Sequence, residues 1–102
     1  MNSERKKMVI GVCRLDIMIH DNSSLKGKRQ VLKRVIDRVK QKFNVSIAEV
    51  GENDKWQRAQ VGFCVVGNDK RYVNSSLDKI ANFINDLRVV DLLNSEIEIL
   101  DF

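Results

Sequence analysis

Apolar and polar residues alternate along several stretches of the chain, beginning with residues 8–20. One parity of this stretch carries Val9, Cys13, Leu15, Ile17 and Ile19, and the other carries Arg14, Asp16 and His20. Such alternation predicts a strand with one face inward and the other partly exposed to water. Similar patterns predict three further strands, at residues 44–51, 58–67 and 95–102.

Two other segments repeat apolar residues at steps of three and four, which predicts amphipathic helices. The first helix is expected to begin after an N-cap at Ser23 or Ser24 and to end near Phe43. The second is expected to be capped by Asn68 or Asp69. The two apolar stripes are formed by Leu25, Leu32, Val35, Ile36, Val39 and Phe43, and by Val73, Leu77, Ile80, Ile84 and Leu87.

The predicted order of elements is β-α-β-β-α-β, in the α+β class. Short connections and half-polar strands favour a ferredoxin-like sandwich, in which a four-stranded antiparallel sheet carries both helices on one face. We expect residues 8–102 to form this single domain and residues 1–7 to form a flexible basic tail. The opposite face of the sheet is left to water, a ligand or another subunit.

The composition, with 43% hydrophobic and 31% charged residues, describes a globular domain rather than a disordered chain. Cys13 and Cys64 both fall in apolar runs without C-x-x-C spacing, which predicts buried reduced thiols. The sequence shows no signal-peptide pattern and no bilayer-spanning apolar run, so we expect a cytoplasmic protein. No residue cluster predicts a cofactor or a bound metal.

Positive charge is concentrated in the first predicted helix. Segment 24–43 contains eight basic residues and one acid, Asp37, so its formal charge is +7, whereas the whole chain carries +4. Lysines in the first turn oppose the helix dipole, at a cost of roughly 0.3–1 kcal/mol each. An anion bound there would reverse that cost, because backbone N–H groups and cationic side chains would converge on it. The basic residues are Lys26, Lys28, Arg29, Lys33, Arg34, Arg38, Lys40 and Lys42.

This charge pattern predicts a binding site for a polyanion such as nucleic acid, in which Gly27 would let a phosphate approach the backbone closely. The alternative is a solvated helix face that only maintains solubility. The first strand has no aromatic residue, and Phe63 in the third has core-like neighbours. Contacts should therefore go to phosphate or to shape, with steep salt dependence. The predicted anion-binding residues are Ser24, Lys26, Gly27, Lys28, Arg29, Lys33 and Arg34, with Arg58 as a further member.

Two features suggest contacts with another protein. The outward parity of the first strand is largely apolar, which predicts a strip for homodimer contact on the open sheet face. Trp56 lies in the predicted hairpin loop, where it either pins the hairpin against the sheet edge or anchors an interface. The strip comprises Met8, Ile10, Val12, Met18 and Val66. The predicted interface residues are Ile10, Val12 and Trp56.

Residues able to perform catalysis are scarce. His20 is the only histidine, and no nucleophile, base and orienting group can be assembled from the sequence. The loop after the first strand has the wrong frame for the phosphate-binding loop of ferredoxin-like acylphosphatases. The residues therefore favour a non-enzymatic protein, and a small-molecule-binding or enzymatic domain is an alternative.

Four segments, "GVCRLDI", "SLKGKRQVLKRV", "FNVSIAEV" and "WQRAQVGFCVVGND", occur in this order. In combination they resemble the YlxP-like family of small bacterial proteins, over nearly the whole span from Val9 to Leu100. The resemblance implies a ferredoxin-like fold, no established catalytic residues and a translation-related setting, since genes of this family often lie among those for translation initiation and ribosome maturation factors. The family's recurrent "SLKxKR" and "WQR" segments match Ser24 to Arg29 and Trp56 to Arg58.

Together these observations predict a non-enzymatic protein associated with ribosomal or other structured RNA through the basic helix. The principal alternative is a regulatory or protein-interaction module that dimerises through the open sheet face.

Overall fold

The computed structural model of the protein describes residues 7–52 and 54–102. Its element order is β-α-β-β-α-β, which confirms the prediction. The predicted basic tail lies outside the described residues except for Lys7. The elements are β1 (Val9–Met18), α1 (Leu25–Lys42), β2 (Ser46–Gly51), β3 (Arg58–Gly67), α2 (Lys70–Asp86) and β4 (Asp91–Asp101).

The four strands form one antiparallel sheet in the order β2-β3-β1-β4, which confirms the predicted α+β ferredoxin-like sandwich. The central strands β1 and β3 pair over their whole length, from Val9 opposite Gly67 to Met18 opposite Arg58. The shorter β2 and the long β4 are the two edges. Both helices pack against the same face, since the sheet buries only one parity of β1 and β3.

The hydrophobic core fills the layer between the helices and the sheet. Alternate residues of β1 and β3 point into it, and both helices contribute the apolar stripes that their spacing predicted. Gly11 allows α2 to approach β1 closely, because a Cβ there would clash with Val73. The largest fully buried apolar side chains are Leu15, Ile17, Ile19, Leu77, Ile80 and Ile84.

Each helix starts at one of the two caps that the sequence allowed. Ser24 caps α1, and its hydroxyl oxygen accepts a hydrogen bond from the Gly27 N–H. Asp69 caps α2 by accepting from the Arg71 N–H. The first turn of α1 contains no acid to offset its cations.

Strand β4 begins at Asp91, four residues earlier than the alternation predicted. The pairing of β1 with β4 shifts between Asp16 and Ile17: Asp16 lies opposite Asn94, whereas Ile17 lies opposite Leu92. Leu93 is therefore an extra residue in the strand, a β-bulge that breaks the period of two. Because the prediction relied on that period, it missed the first part of the strand.

The two thiols differ in environment. Cys13 is buried, as predicted, and its burial together with the Asp78 carboxylate raises the pKa of the thiol to about 11. Cys64 lies on the outward parity of β3 and is only half-buried, so the prediction of full burial was wrong for this residue.

Neither α1 nor α2 is long and apolar enough to cross a membrane. Within residues 7–52 and 54–102, no three His, Cys, Asp or Glu side chains are grouped in a way that could hold a metal ion.

Candidate nucleic-acid interface

Lys28 lies in the first turn of α1, on the buried face of the helix, and is only 1% exposed. Its ammonium donates hydrogen bonds to three backbone carbonyls, those of Glu52 and Lys55 in the β2–β3 loop and of Arg58 at the start of β3, at 2.5, 2.7 and 2.9 Å. Oε2 of Glu49, on β2, lies 3.3 Å from the same nitrogen. This carboxylate oxygen is buried and makes no hydrogen bond, so the contact is purely ionic.

The prediction that Lys28 binds an external anion was therefore wrong. An ammonium has three N–H donors, and three loop carbonyls already use them. The sequence carried a signal for this: position 28 lies three residues after Leu25 and four before Leu32, in the centre of the buried face. Lys28 instead ties the β2–β3 loop to the start of α1.

Ser24 and Gly27 also have structural roles in place of the predicted phosphate contact. The Ser24 hydroxyl is engaged as the helix cap, 2.9 Å from the Gly27 nitrogen. A Cβ at Gly27 would clash with Oδ1 of Asn22. The space that the prediction assigned to a phosphate is thus filled by the Asn22 side chain.

Asn22 was not singled out from the sequence, yet it joins the two loops at this end of the sheet. Its side-chain amide nitrogen donates to the carbonyls of Ser24 and Trp56, at 2.8 and 2.5 Å. Gln57 donates from its own amide to the Asn22 carbonyl at 3.2 Å, and its carbonyl accepts from the Ile19 N–H at 2.9 Å. The segments "SLKGKR" and "WQR", 32 positions apart in the sequence, therefore meet in space.

Trp56 remains 53% exposed on this loop. A tryptophan that pinned the hairpin against the sheet edge would bury more of its ring, so the structure does not favour that interpretation. The backbone around it is fixed, while its indole is accessible to a partner.

Several predicted cations remain accessible on the surface. Lys33 is exposed but pairs with Asp37 one turn later, at 2.9 Å. The other four exposed cations among the predicted anion-binding residues form no ion pair or side-chain hydrogen bond with any described residue. These four, named here the free cations, are Lys26, Arg29, Arg34 and Arg58.

The exposed acids of β4 lie away from the basic helix. Helix α1 packs over β2, at one edge of the sheet. At the other edge, β4 carries the exposed acids Glu96 and Glu98 on the face away from the helices. Glu96 and Glu98 thus do not neutralise the basic helix. Among the acids nearer to it, Asp37 and Glu52 pair with Lys33 and Lys55.

The open face of the sheet carries an apolar row that crosses three strands. Ile10 on β1 lies opposite Val66 on β3 and opposite Leu100 on β4. Val66 and Leu100 are 61% and 44% exposed. Farther along the sheet lies a shallow hollow of about 450 Å³, whose lining includes Val12, Arg14, Val50, Gly62, Cys64, Glu96 and Glu98.

The fold and these surfaces define a small α+β sandwich with a basic helix and an open sheet face. The family model described as "Protein of unknown function (DUF503)" matches residues 10–97. The uncharacterized protein YlxP of Bacillus subtilis (strain 168) is 39% identical over 83 residues, which cover 81% of this chain and 90% of YlxP. The chain belongs to this YlxP-like family, as the resemblance in the sequence indicated.

Solved structures match the chain only at low similarity. The de novo designed protein Foldit4 is 20% identical, with a TM-score of 0.48 and coverage of 93% of this chain and 96% of the design. A C-terminal segment of the alpha subunit of aIF2 from Pyrococcus abyssi is 16% identical, with a TM-score of 0.47, and the match covers 98% of this chain and 53% of that one. These scores carry no inference about function.

Proposed function

We propose that the protein binds structured RNA through the phosphate backbone, using the free cations of α1 and Arg58 at the start of β3. The observation that carries this proposal is the set of exposed, unpaired side chains Lys26, Arg29 and Arg34 on one helix. Such a cluster is unfavourable in isolation, because Lys26 opposes the helix dipole in a first turn without an acid. Lys26 and Arg29, three residues apart, also repel each other. A polyanion converts the same charges into favourable contacts.

Recognition is proposed to depend on phosphate position rather than on base sequence. The central strands expose no aromatic residue on the open face, since Phe63 is buried in the core and β1 has none. A sheet of this order that reads bases would need such rings. The proposed role is non-enzymatic and belongs in the cytoplasm, where ribosomal and other structured RNA is found.

The direct test compares two triple variants, each of which lowers the formal net charge from +4 to +1. K26Q/R29Q/R34Q removes free cations, and R71Q/K79Q/R88Q removes exposed cations from α2 and the turn after it. The probe is a fluorescently labelled ribosomal RNA fragment, titrated at low salt with anisotropy as the readout. We expect the first variant to bind at least about tenfold more weakly and the second to stay within about threefold of the wild type.

Circular dichroism of both variants controls for folding. Equal losses of affinity would mean that only net charge matters, and unchanged affinity in K26Q/R29Q/R34Q would exclude α1 as the binding surface. Either result contradicts the proposal.

A second candidate function is self-association through the open sheet face. The apolar row of Ile10, Val66 and Leu100 favours it, because such rows commonly lie in subunit contacts. Arg14 pairs with no described residue, while Glu96 lies opposite it on β4. A two-fold arrangement of two open faces would let Arg14 of each copy meet an acid of the other. This candidate is compatible with RNA binding, since α1 lies on the other side of the sheet.

A further inference from the structure

We infer that Trp56 is a stacking platform for an unpaired RNA base, next to the phosphate contacts of α1. This inference rests on the RNA binding proposed above and adds a preference to it: single-stranded or bulged RNA over a continuous duplex. Nothing in the family description or in the relatives assigns a role to this tryptophan.

The first argument is the exposure of the ring. Trp56 is the only tryptophan of the chain and leaves 53% of its surface in water. Water-exposed aromatic surface is costly at roughly 25 cal/mol per Å², and a stacked base would cover it. Base stacking on an aromatic side chain suits any base, since every base has a π face.

The second argument is the hydrogen bonding that holds the backbone of residues 55–58 around the ring. The ammonium of Lys28 donates hydrogen bonds to two nearby carbonyls. These belong to Lys55, which precedes the tryptophan, and to Arg58, which lies two residues after it. Asn22 holds the carbonyl of Trp56 itself. The neighbouring Gln57 is bonded both to Asn22 and to Ile19. A platform whose backbone is already ordered loses little conformational entropy when a ligand binds.

The third argument is the position of the loop beside the basic helix. One amide nitrogen, that of Asn22, bridges the carbonyl of Trp56 and the carbonyl of Ser24, which caps α1. The backbone of Trp56 therefore lies two hydrogen bonds away from the first turn of the helix, which carries Lys26. Arg58 follows two residues later. An exposed ring on a segment joined to the start of the basic helix fits a nucleotide, which offers a base and a phosphate at once.

The test uses the intrinsic fluorescence of the protein, which reports on Trp56 because the chain contains one tryptophan. Two labelled RNA probes are compared, a short oligouridylate and a blunt-ended RNA duplex without unpaired bases. Anisotropy of the label measures the affinity for each probe. We expect the oligouridylate to quench the tryptophan emission, and the duplex to bind without quenching it.

Substitution provides the second readout. We expect W56A to bind the oligouridylate about five- to a hundredfold more weakly, with W56F retaining most of the affinity because phenylalanine keeps a stacking face. The duplex affinity of W56A should stay within about twofold of the wild type. Y72A is the matched control, since Tyr72 is the other strongly exposed ring near a helix start and should leave both affinities unchanged.

The possible results distinguish failure of the stacking inference from failure of the proposed RNA binding. If both probes bind through the free cations but W56A changes neither affinity and no quenching occurs, the stacking platform is wrong and phosphate binding stands. Equal effects of W56A on both probes would also overturn the inference. If neither probe binds, the stacking inference and the proposal of RNA binding are both wrong. Quenching by an acidic peptide but not by oligouridylate would assign Trp56 to a protein partner instead.

Discussion

Lys28 shows how a residue that looks functional in a sequence can be structural. It sits in the most basic segment of the chain, but three carbonyls and the Glu49 carboxylate surround its ammonium. A buried charge is tolerated only when it is paired and hydrogen-bonded, and both conditions hold here. The side chain holds the β2–β3 connection against α1, and its three N–H donors are all used within the protein.

The first prediction concerns this residue. K28M keeps the aliphatic length but leaves three loop carbonyls and the Glu49 carboxylate without their cation. We expect the free energy of unfolding to fall by about 2–4 kcal/mol, somewhat below the usual range for a broken buried pair, because the Glu49 side chain is 25% exposed. Urea denaturation measures the change.

The matched control is K26M, two residues earlier and exposed, which should change the free energy of unfolding by less than about 0.5 kcal/mol. A K28M variant as stable as K26M would contradict this account. The hydrogen bonds of Lys28 would then contribute nothing to the free energy of unfolding.

At the scale of elements, the junction of two loops decides the shape of the candidate site. Asn22 in the β1–α1 loop and Gln57 in the β2–β3 loop bond to each other's segment, and Gly27 makes room for Asn22. The glycine in the first turn is thus explained by packing of a side chain against it. This junction sets where Trp56 stands relative to α1.

The second prediction tests that packing. Inside a helix, alanine is more favourable than glycine by about 1 kcal/mol. We nevertheless expect G27A to lower the free energy of unfolding by about 1 kcal/mol or more, because the added Cβ clashes with the Asn22 side chain. In an N22A background the same substitution should become stabilising. Thermal and urea denaturation of the four proteins measure this change of sign.

A G27A substitution that stabilised the protein in both backgrounds would contradict the account of the glycine. In N22A the anisotropy of Trp56 emission should also fall, since its carbonyl loses the bond that anchors it.

The sequence predicted the elements well where its periods were unbroken. Both helices and β3 were predicted almost to the residue, because their apolar steps are regular. The start of β4 was missed, since Leu93 adds a residue to the strand and interrupts alternation. Bulges of this kind depend on the partner strand and leave no clear mark in a single sequence.

The candidate site was less predictable than the fold. The exposed helix cations Lys26, Arg29 and Arg34 follow from helical periodicity alone. By contrast, the loop junction depends on long-range hydrogen bonds, such as that between Asn22 and the carbonyl of Trp56, 34 residues apart. Local patterns hold no information about such pairs, so the roles of Gly27 and Asn22 emerged only from the structure. For Lys28 the helical period indicates a buried position but not the carbonyls that it binds.

At the scale of the whole molecule, two faces with different chemistry are separated by the sheet. The helix side presents a basic surface, and the opposite side presents an apolar row with acids at one edge. The first suits a polyanion and the second suits another copy of the chain. A dimer through the open faces would place two basic helices on opposite outer surfaces.

The third prediction tests the open face with its own thiol. I10N/V12N should halve the mass seen in sedimentation at micromolar concentration and should speed the reaction of Cys64, on the same face, with a maleimide. Cys13 is an internal control, since burial and a pKa raised to about 11 keep its thiol protonated and unreactive at pH 8 in both proteins. L93N, away from the apolar row, should leave the mass unchanged.

A wild-type protein that sediments as a monomer at all concentrations, with Cys64 fully reactive, would exclude this dimer. RNA binding through α1 would be unaffected by that result.

The most direct test of RNA binding is the salt dependence of the wild-type affinity for ribosomal RNA. If the four free cations contact phosphates, the logarithm of the binding constant should fall linearly with the logarithm of salt concentration, with a slope of about −3. K26Q/R29Q/R34Q should bring that slope to about −1, while R71Q/K79Q/R88Q leaves it unchanged. A wild-type slope near zero, or the same slope in all three proteins, would contradict the assignment of α1 as the surface that binds RNA.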